Sequence, residues 1–343
     1  MLTNNKYLYI YAFCFITKGE SLFSIYDSVR HTIHQFDIWL YDIANYHLRS
    51  KTINKLMLDY NLEEQKYISD FVNYITENDL GRFVDDITLF PLLKEEWDKP
   101  YKVKKAIIDI KNIWHNLDAI FTDLTELLCP KIEIRFYRSV SIEELNILMS
   151  VFSKHNFAAL YILLPLENNN TKEYIEGLSS IVERDYRVYF NIYGVTDHVK
   201  TSVYELQQEI LPLSNNLVCS TKLIYGCEDC GNINFEHLPE MSIEDVIENK
   251  LYNGCLNRVM SVDEDGNIKN CPSMRNHYGN IKDTSLLEVY YQKEFQKYWY
   301  ISNSHIEGCQ FCNLRVVCKG CRAYIEDPTN IYSKPQKCTY KEK

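Results

Sequence analysis

Ten of the twelve cysteines lie between positions 219 and 338, and seven of those ten stand in an ordered layout. Cys255 comes first, and Cys271 follows in a Gly266-x4-Cys271 pattern. Cys309-x2-Cys312-x5-Cys318-x2-Cys321 comes next, and Cys338 closes the set after sixteen intervening residues. A further pair, Cys227-x2-Cys230, lies just upstream. A C-x2-C pair lets two thiolates from one turn reach the same ion or cluster, with backbone amides turned toward the sulfurs. Such sets hold either a tetrahedral zinc ion, with metal–sulfur bonds of roughly 2.3 Å, or an iron–sulfur cluster. The residues alone leave both open. Val262–Ile268 reads as a hairpin with Asp265-Gly266 in its turn, which brings Cys255 and Cys271 together across the two arms.

Disulfides, the other use of clustered cysteines, need an oxidising compartment. The apolar run Tyr7–Ile16 lacks a strong basic flank and ends in Thr17-Lys18-Gly19-Glu20 rather than a small-residue cleavage site. No export signal is therefore expected, and the expected location is cytoplasmic, where clustered thiols serve metals. No stretch reaches the 18 or so apolar residues of a membrane span, so no membrane partner is expected. The formal charge is −10 with no basic run, which argues against nucleic acid. Only 11 glycines are present, and there is no phosphate-cradling loop, nucleophile elbow or HExxH pair. Cys14 and Cys129 read as core residues, as does Cys219 in its apolar strand. His31 and His34 read as satisfied histidines of a strand, and Asp263, Glu264 and Asp265 as turn residues. No catalytic base or nucleophile is placed by the sequence, so the catalytic residues are unknown.

The elements that must carry these cysteines fall into four segments. Over 1–86, a period-2 strand from Tyr7 to Ile16, apolar on both faces, precedes strands near Ser21–Tyr26 and His31–Phe36. Helical patterns follow at Ile38–His47, Lys51–Tyr60 and Leu62–Thr76, the last with Tyr67, Ile68, Phe71, Val72 and Ile75 on one stripe. Strands and then short helices read as a winged-helix-like α+β module. The stretch 87–105, with Pro91, Pro100 and many charges, reads as a linker. Over 106–225 the period alternates. Strands are predicted at Ala106–Ile110, Ile132–Tyr137, Ala158–Leu164, Arg187–Tyr193 and Leu217–Tyr225. Helices are predicted at Trp114–Leu128, Ile142–His155, Thr171–Arg184 and Ser202–Leu211. This is α/β with a parallel sheet, and about five units make a partial (β/α) barrel, short of the eight of a closed one. Over 226–343, Val246–Leu251 and Leu286–Trp299 look helical, but most is loop that needs metal staples.

The seven-cysteine layout resembles the SPASM domain, the carboxy-terminal extension of many radical-SAM enzymes that modify peptides. It departs from the family spacing in having two residues, not three, between Cys318 and Cys321. Within that group the chain more closely resembles the SPASM-domain peptide maturases of grasp-with-spasm systems. The residues that carry the resemblance are Asp265-Gly266-Asn267-Ile268-Lys269-Asn270-Cys271-Pro272-Ser273-Met274, Gly279-Asn280-Ile281, Cys321-Arg322-Ala323-Tyr324-Ile325-Glu326-Asp327-Pro328, and Lys334-Pro335 ahead of Cys338. The resemblance implies two [4Fe-4S] clusters. Cys309, Cys312, Cys318 and Cys338 would hold one completely. Cys255, Cys271 and Cys321 would hold the other, one ligand short. Some relatives supply a further cysteine where this chain has Ser261; Cys227-x2-Cys230 could supply the missing thiolate or combine with neighbours into a separate site.

A radical-SAM enzyme also needs C-x3-C-x2-C after its first barrel strand. Here Asp109-Ile110-Lys111-Asn112-Ile113-Trp114 follows, without a cysteine, and the motif occurs nowhere in the chain. S-adenosylmethionine chemistry is not expected, an absence shared with the grasp-with-spasm maturases. The resemblance implies a maturation protein for a ribosomally synthesised, post-translationally modified peptide. Its partners would be the precursor peptide, whose leader adds a β-strand to the winged-helix-like module, and an ATP-grasp ligase. Two alternatives stay open: an iron–sulfur enzyme acting through an open cluster position at Cys255, Cys271 and Cys321, and a zinc-stapled scaffold without catalysis.

Overall fold

A computed structural model describes residues 5–112, 114–166, 171–197, 200–201 and 216–342. The chain is mixed α and β, and among the described residues its strands form three sheets. The largest has seven strands: β6 (Lys105–Ile110), β7 (Lys131–Phe136), β8 (Ala159–Pro165), β9 (Val188–Tyr193), β10 (Leu217–Cys219), β11 (Val259–Val262) and β12 (Ile268–Lys269). Their order is β10-β9-β8-β7-β6-β11-β12, parallel throughout except for β12. The alternating β and α elements expected over 106–193 are present. The helices are α3 (Leu117–Glu126), α4 (Ile142–Phe152) and α5 (Thr171–Arg184). The predicted helix Ser202–Leu211 falls outside the described residues.

Period-2 patterning places the core of this sheet. Ile132, Ile134 and Phe136 of β7, with Ile108 and Ile110 of β6, are fully buried in one large cluster with Phe121 of α3 and Leu148 of α4. The intervening residues Lys105, Asp109, Glu133 and Arg135 therefore share the opposite face, which is polar. Helix starts are closed locally: Ser141 accepts from the Glu144 amide at 3.3 Å, and Glu144 accepts from the Ser141 amide at 3.0 Å.

The amino-terminal segment differs from expectation at its first strand. Tyr7–Ile16 is not one element. β1 (Tyr7–Ile10) pairs with β5 (Gly81–Val84), while β2 (Cys14–Lys18) opens an antiparallel meander with β3 (Leu22–Asp27) and β4 (Thr32–Asp37). A turn closed by the Cys14 amide on the Tyr11 carbonyl at 2.9 Å separates them. Helical turns at Ile38–Leu40, Ile43–His47 and Leu48–Ser50 lead to α1 (Ile53–Met57) and α2 (Leu62–Glu77). β3 is buried on both sides: Phe23 and Ile25 face the α2 residues Ile68 and Phe71, and Tyr26 faces the cysteine-rich region.

That second contact joins the ends of the chain. The Tyr26 hydroxyl donates to the Met241 carbonyl at 2.9 Å, and Ser24 Oγ donates to the Asn313 carbonyl at 2.6 Å. The stretch 87–105 carries little regular structure but is docked, with Trp97 buried beside Phe15, Val246 and Val316. Two further predictions are corrected. β10 ends at Cys219 rather than Tyr225; beyond it the Ser220 amide still donates to the Ile192 carbonyl of β9 at 2.8 Å, but the regular pairing stops. Leu286–Trp299 is not one helix but α7 (Leu286–Tyr290), α8 (Lys293–Gln296) and a 3₁₀ turn (Lys297–Tyr300), following α6 (Ile243–Leu251).

Candidate functional site

The expected hairpin forms and does more than turn. β11 pairs parallel with β6, setting Val259 opposite Lys105 and Val262 opposite Ile108, so the sheet extends into the cysteine region. Gly266 sits at φ +86° in the turn, where a left-handed residue is required. Cys255 precedes this hairpin and Cys271 follows it, and both line one cavity of about 200 Å³. Cys230, Cys318 and Cys321 line it too. A second, smaller cavity of about 30 Å³ is lined by Cys309, Cys312, Cys318 and Cys338. All twelve cysteines are free thiols.

Loops rather than ladders bring these thiols together, so side chains replace the missing backbone partners. Asn253 is buried; its Nδ2 donates to the Gly320 carbonyl at 2.9 Å, and its Oδ1 accepts from the Cys255 amide at 3.2 Å. Asn249 Nδ2 donates to the Val316 carbonyl at 3.0 Å, and Asn303 Nδ2 to the Arg315 carbonyl at 2.7 Å. The last segment is held by Ile233, whose amide donates to Lys337 and whose carbonyl accepts from the Thr339 amide, both at 3.0 Å, so that Cys338 lies beside it. These asparagines escaped the sequence reading; the one available signal was Asn253 two residues ahead of Cys255.

Several backbone amides point at sulfur. The Leu314 amide donates to Cys312 Sγ at 3.4 Å, and the Ser273 and Gly320 amides bond the thiols of Cys271 and Cys318. In each case the donor lies two residues after its cysteine. Burial is the main force on the thiol acidities. It pushes Cys255 up to about 11, with the neighbouring Cys321 and Cys230 thiols adding to the effect. It pushes Cys312 up to about 11 and Cys318 up to about 12, and raises Cys271 and Cys309 as well.

Arg322 stands among the two sets of thiols. It is 3% exposed. Its Nη1 donates to the carbonyls of Ile331 at 3.1 Å and Ser333 at 2.6 Å, while Nε and Nη2 are buried without a partner. Burial lowers its pKa, and Cys309, Cys321, Cys318 and Cys255 oppose that shift. A buried guanidinium with two idle donors calls for negative charge beside it.

The remaining candidates divide. Cys227 does not line either thiol cavity; its thiol bonds Ser273, and its carbonyl accepts from Ser273 Oγ at 2.7 Å. Cys14 and Cys129 are buried core residues, and Cys219 is half-buried at the end of β10. His34 Nδ1 shares a 2.9 Å hydrogen bond with the Tyr74 hydroxyl. Among the described residues, no three His, Cys, Asp or Glu side chains are gathered to hold a metal ion directly. None of their helices is long and apolar enough to cross a membrane.

A second concavity lies in the amino-terminal segment. A groove of about 410 Å³ runs between β1 and β2, lined by Tyr9, Tyr11, Phe15 and Ile16, by Leu48 and Arg49, and by Pro91–Leu93. β2 pairs only with β3, so its other edge is open among the described residues. The pairing register says which groups face out. The Gly19 amide bonds the Leu22 carbonyl, and the Ser28 amide bonds the Phe13 carbonyl. Alternation then directs Phe15 and Thr17 toward β3 and turns the N–H and C=O of Ile16 to the open edge. No protein-family model matches this chain, and no curated protein matches it.

Proposed function

We propose that this chain is a maturation protein for a ribosomally made peptide, binding the precursor and carrying two cysteine-held inorganic centres. One observation carries the reading: Cys230, Cys255, Cys271 and Cys321 line one cavity, Cys309, Cys312 and Cys338 line another, and Cys318 borders both. Cys230 is then the fourth ligand that the seven-cysteine layout leaves out, and Cys227 is not a ligand. The donor set fits anionic iron–sulfur clusters: thiols throughout, amides aimed at sulfur, and the idle donors of Arg322 among them. A single zinc ion would draw its four sulfurs to within roughly 3.8 Å of one another by tetrahedral geometry. The cavity of about 200 Å³ lined by the Cys230, Cys255, Cys271 and Cys321 thiols leaves more room than one ion needs, which supports a cluster there. The clusters would hold the loop-rich region in shape and supply redox-active iron there.

The precursor's leader would dock in the groove beside β2 as an added strand, bonding the outward N–H and C=O of Ile16. An ATP-grasp ligase would act on the bound precursor. Two measurements test this. Anaerobically purified protein should contain iron and acid-labile sulfide; zinc without sulfide would overturn the cluster assignment. A synthetic leader should be captured by the chain and released by Ile16→Pro, which removes an outward N–H and leaves the β2–β3 ladder intact. Capture that survives Ile16→Pro would refute strand addition.

A further inference from the structure

The polar face of the seven-stranded sheet has an unfilled bonding position. Lys105 pairs with Glu133, and Arg135 Nε donates to Asp109 Oδ1 at 2.7 Å. The Tyr137 hydroxyl donates to the second Asp109 oxygen at 3.1 Å, so both oxygens of that carboxylate are engaged. Arg135 is 8% exposed, and its Nη2 is buried without a partner. A guanidinium presents its nitrogens as a planar fork matched to a carboxylate, and leaving a buried member idle is costly.

The space in front of this face is a pocket of about 610 Å³ that also reaches Cys230, Cys255 and Cys271. Six Lys or Arg side chains and four Asp or Glu side chains line it, on a chain whose formal charge is −10. Lys319 is exposed on its wall and makes no ion pair among the described residues. A locally cationic concavity on an acidic protein focuses anions into it. Asp109 and Glu133 already flank Arg135, at 2.7 and 3.8 Å from Nε, so a singly charged planar anion suits the site better than a dianion.

We propose that this pocket binds a carboxylate, gripped by the Arg135 fork and by Lys319, on the side of the sheet next to the Cys230, Cys255, Cys271 and Cys321 thiols. The carboxylate is either an acidic side chain of a peptide or a free small acid. The site deepens the peptide-maturation reading by giving the chemistry of the bound segment, but its geometry stands without that reading.

The test is calorimetric binding to the full chain of three probes: a short end-capped peptide with one Glu, its Gln twin, and the monocarboxylate butyrate. The Glu peptide should bind, with its Gln twin weaker by about tenfold or more. Arg135→Gln and Lys319→Gln should each weaken the Glu peptide by about fivefold or more and leave the Gln twin unchanged. Butyrate binding as tightly as the Glu peptide assigns the site to free acids; a preference for the peptide assigns it to a side chain. Equal binding of the Glu and Gln peptides, no binding of any carboxylate probe, or indifference to Lys319→Gln overturns the proposal. Lys319 is exposed, so that variant keeps the fold should Arg135→Gln lose it. Iron and sulfide content and leader capture are read separately, so either result can fail alone.

Discussion

Gly231 stands against the Cys321 thiol: a Cβ built on it would lie 3.1 Å from Sγ and 2.8 Å from the Tyr324 ring. Its φ is +85°, in the left-handed region. This one residue lets the 227–233 loop carry Cys230 into a cavity whose other thiols come from 25 to 91 positions further along the chain. Gly231→Ala should cost about 1 kcal/mol from backbone strain alone, and more from the two close contacts. Thermal melts of the variant should fall, and its retention of metal under chelator should shorten. An unchanged melt together with unchanged metal retention would show that the loop does not sit on Cys321.

The two thiols of the Cys227-x2-Cys230 pair should behave differently. Cys230 lines the cavity with Cys255, Cys271 and Cys321, whereas Cys227 turns to Ser273. Cys230→Ser should lose about half of the bound iron and sulfide, as expected when one of two four-thiolate centres loses a ligand. Cys227→Ser should keep nearly all of it. Equal losses in the two variants would sink the assignment of the fourth ligand.

Arg322 should matter most when the centres are filled. In the stripped protein it is a buried cation with two idle donors, so Arg322→Met removes an uncompensated charge at little cost. With anionic thiolate centres on either side the same change breaks a buried charge pairing, a loss of about 3 kcal/mol. Denaturant melts of stripped and reconstituted protein, wild type and Arg322→Met, measure the difference. A penalty that is the same in both states would mean that Arg322 serves only the Ile331 and Ser333 carbonyls.

The sheet was readable in the sequence because its strands keep a strict period on the helix-covered side: Ile132, Ile134 and Phe136 alternate with Glu133 and Arg135. The turn at Tyr11–Phe13 was not readable. It contains neither glycine nor proline, and aromatic residues on both sides continue the strand pattern through it. The pairing of Val259 with Lys105 was also hidden, since nothing local to either residue encodes a partner so distant in sequence. Spacing marked most of the cysteines that line the two cavities. It did not separate Cys230 from Cys227, because that choice depends on the φ of Gly231 and on the Ser273 hydroxyl. Nothing in the sequence marks Arg135, whose significance lies in one nitrogen that finds no partner.

Glu144 should shape the acid limb of stability. Arg138 donates to it from Nη2 at 2.6 Å and Nη1 at 3.2 Å, the Ser141 amide donates at 3.0 Å, and Trp114 Nε1 donates at 3.3 Å. The Arg138 hydrogen bonds, followed by those from Ser141 and Trp114, outweigh partial burial and hold its carboxyl down at about 2 against an ordinary 4.5. The folded pKa is depressed, so the stabilisation is fully present above pH 4.5 and is lost as pH falls toward 2. The side chain is 31% exposed, so solvent screening limits the gain to about 1 kcal/mol. Glu144→Gln should lose that amount at neutral pH through the α4 cap and the Arg138 fork. Its stability should converge on that of the wild type between pH 4.5 and 2. Urea melts across that range decide it: wild-type and variant curves that stay parallel down to pH 2 would show that the Arg138–Glu144 pair carries no net stability.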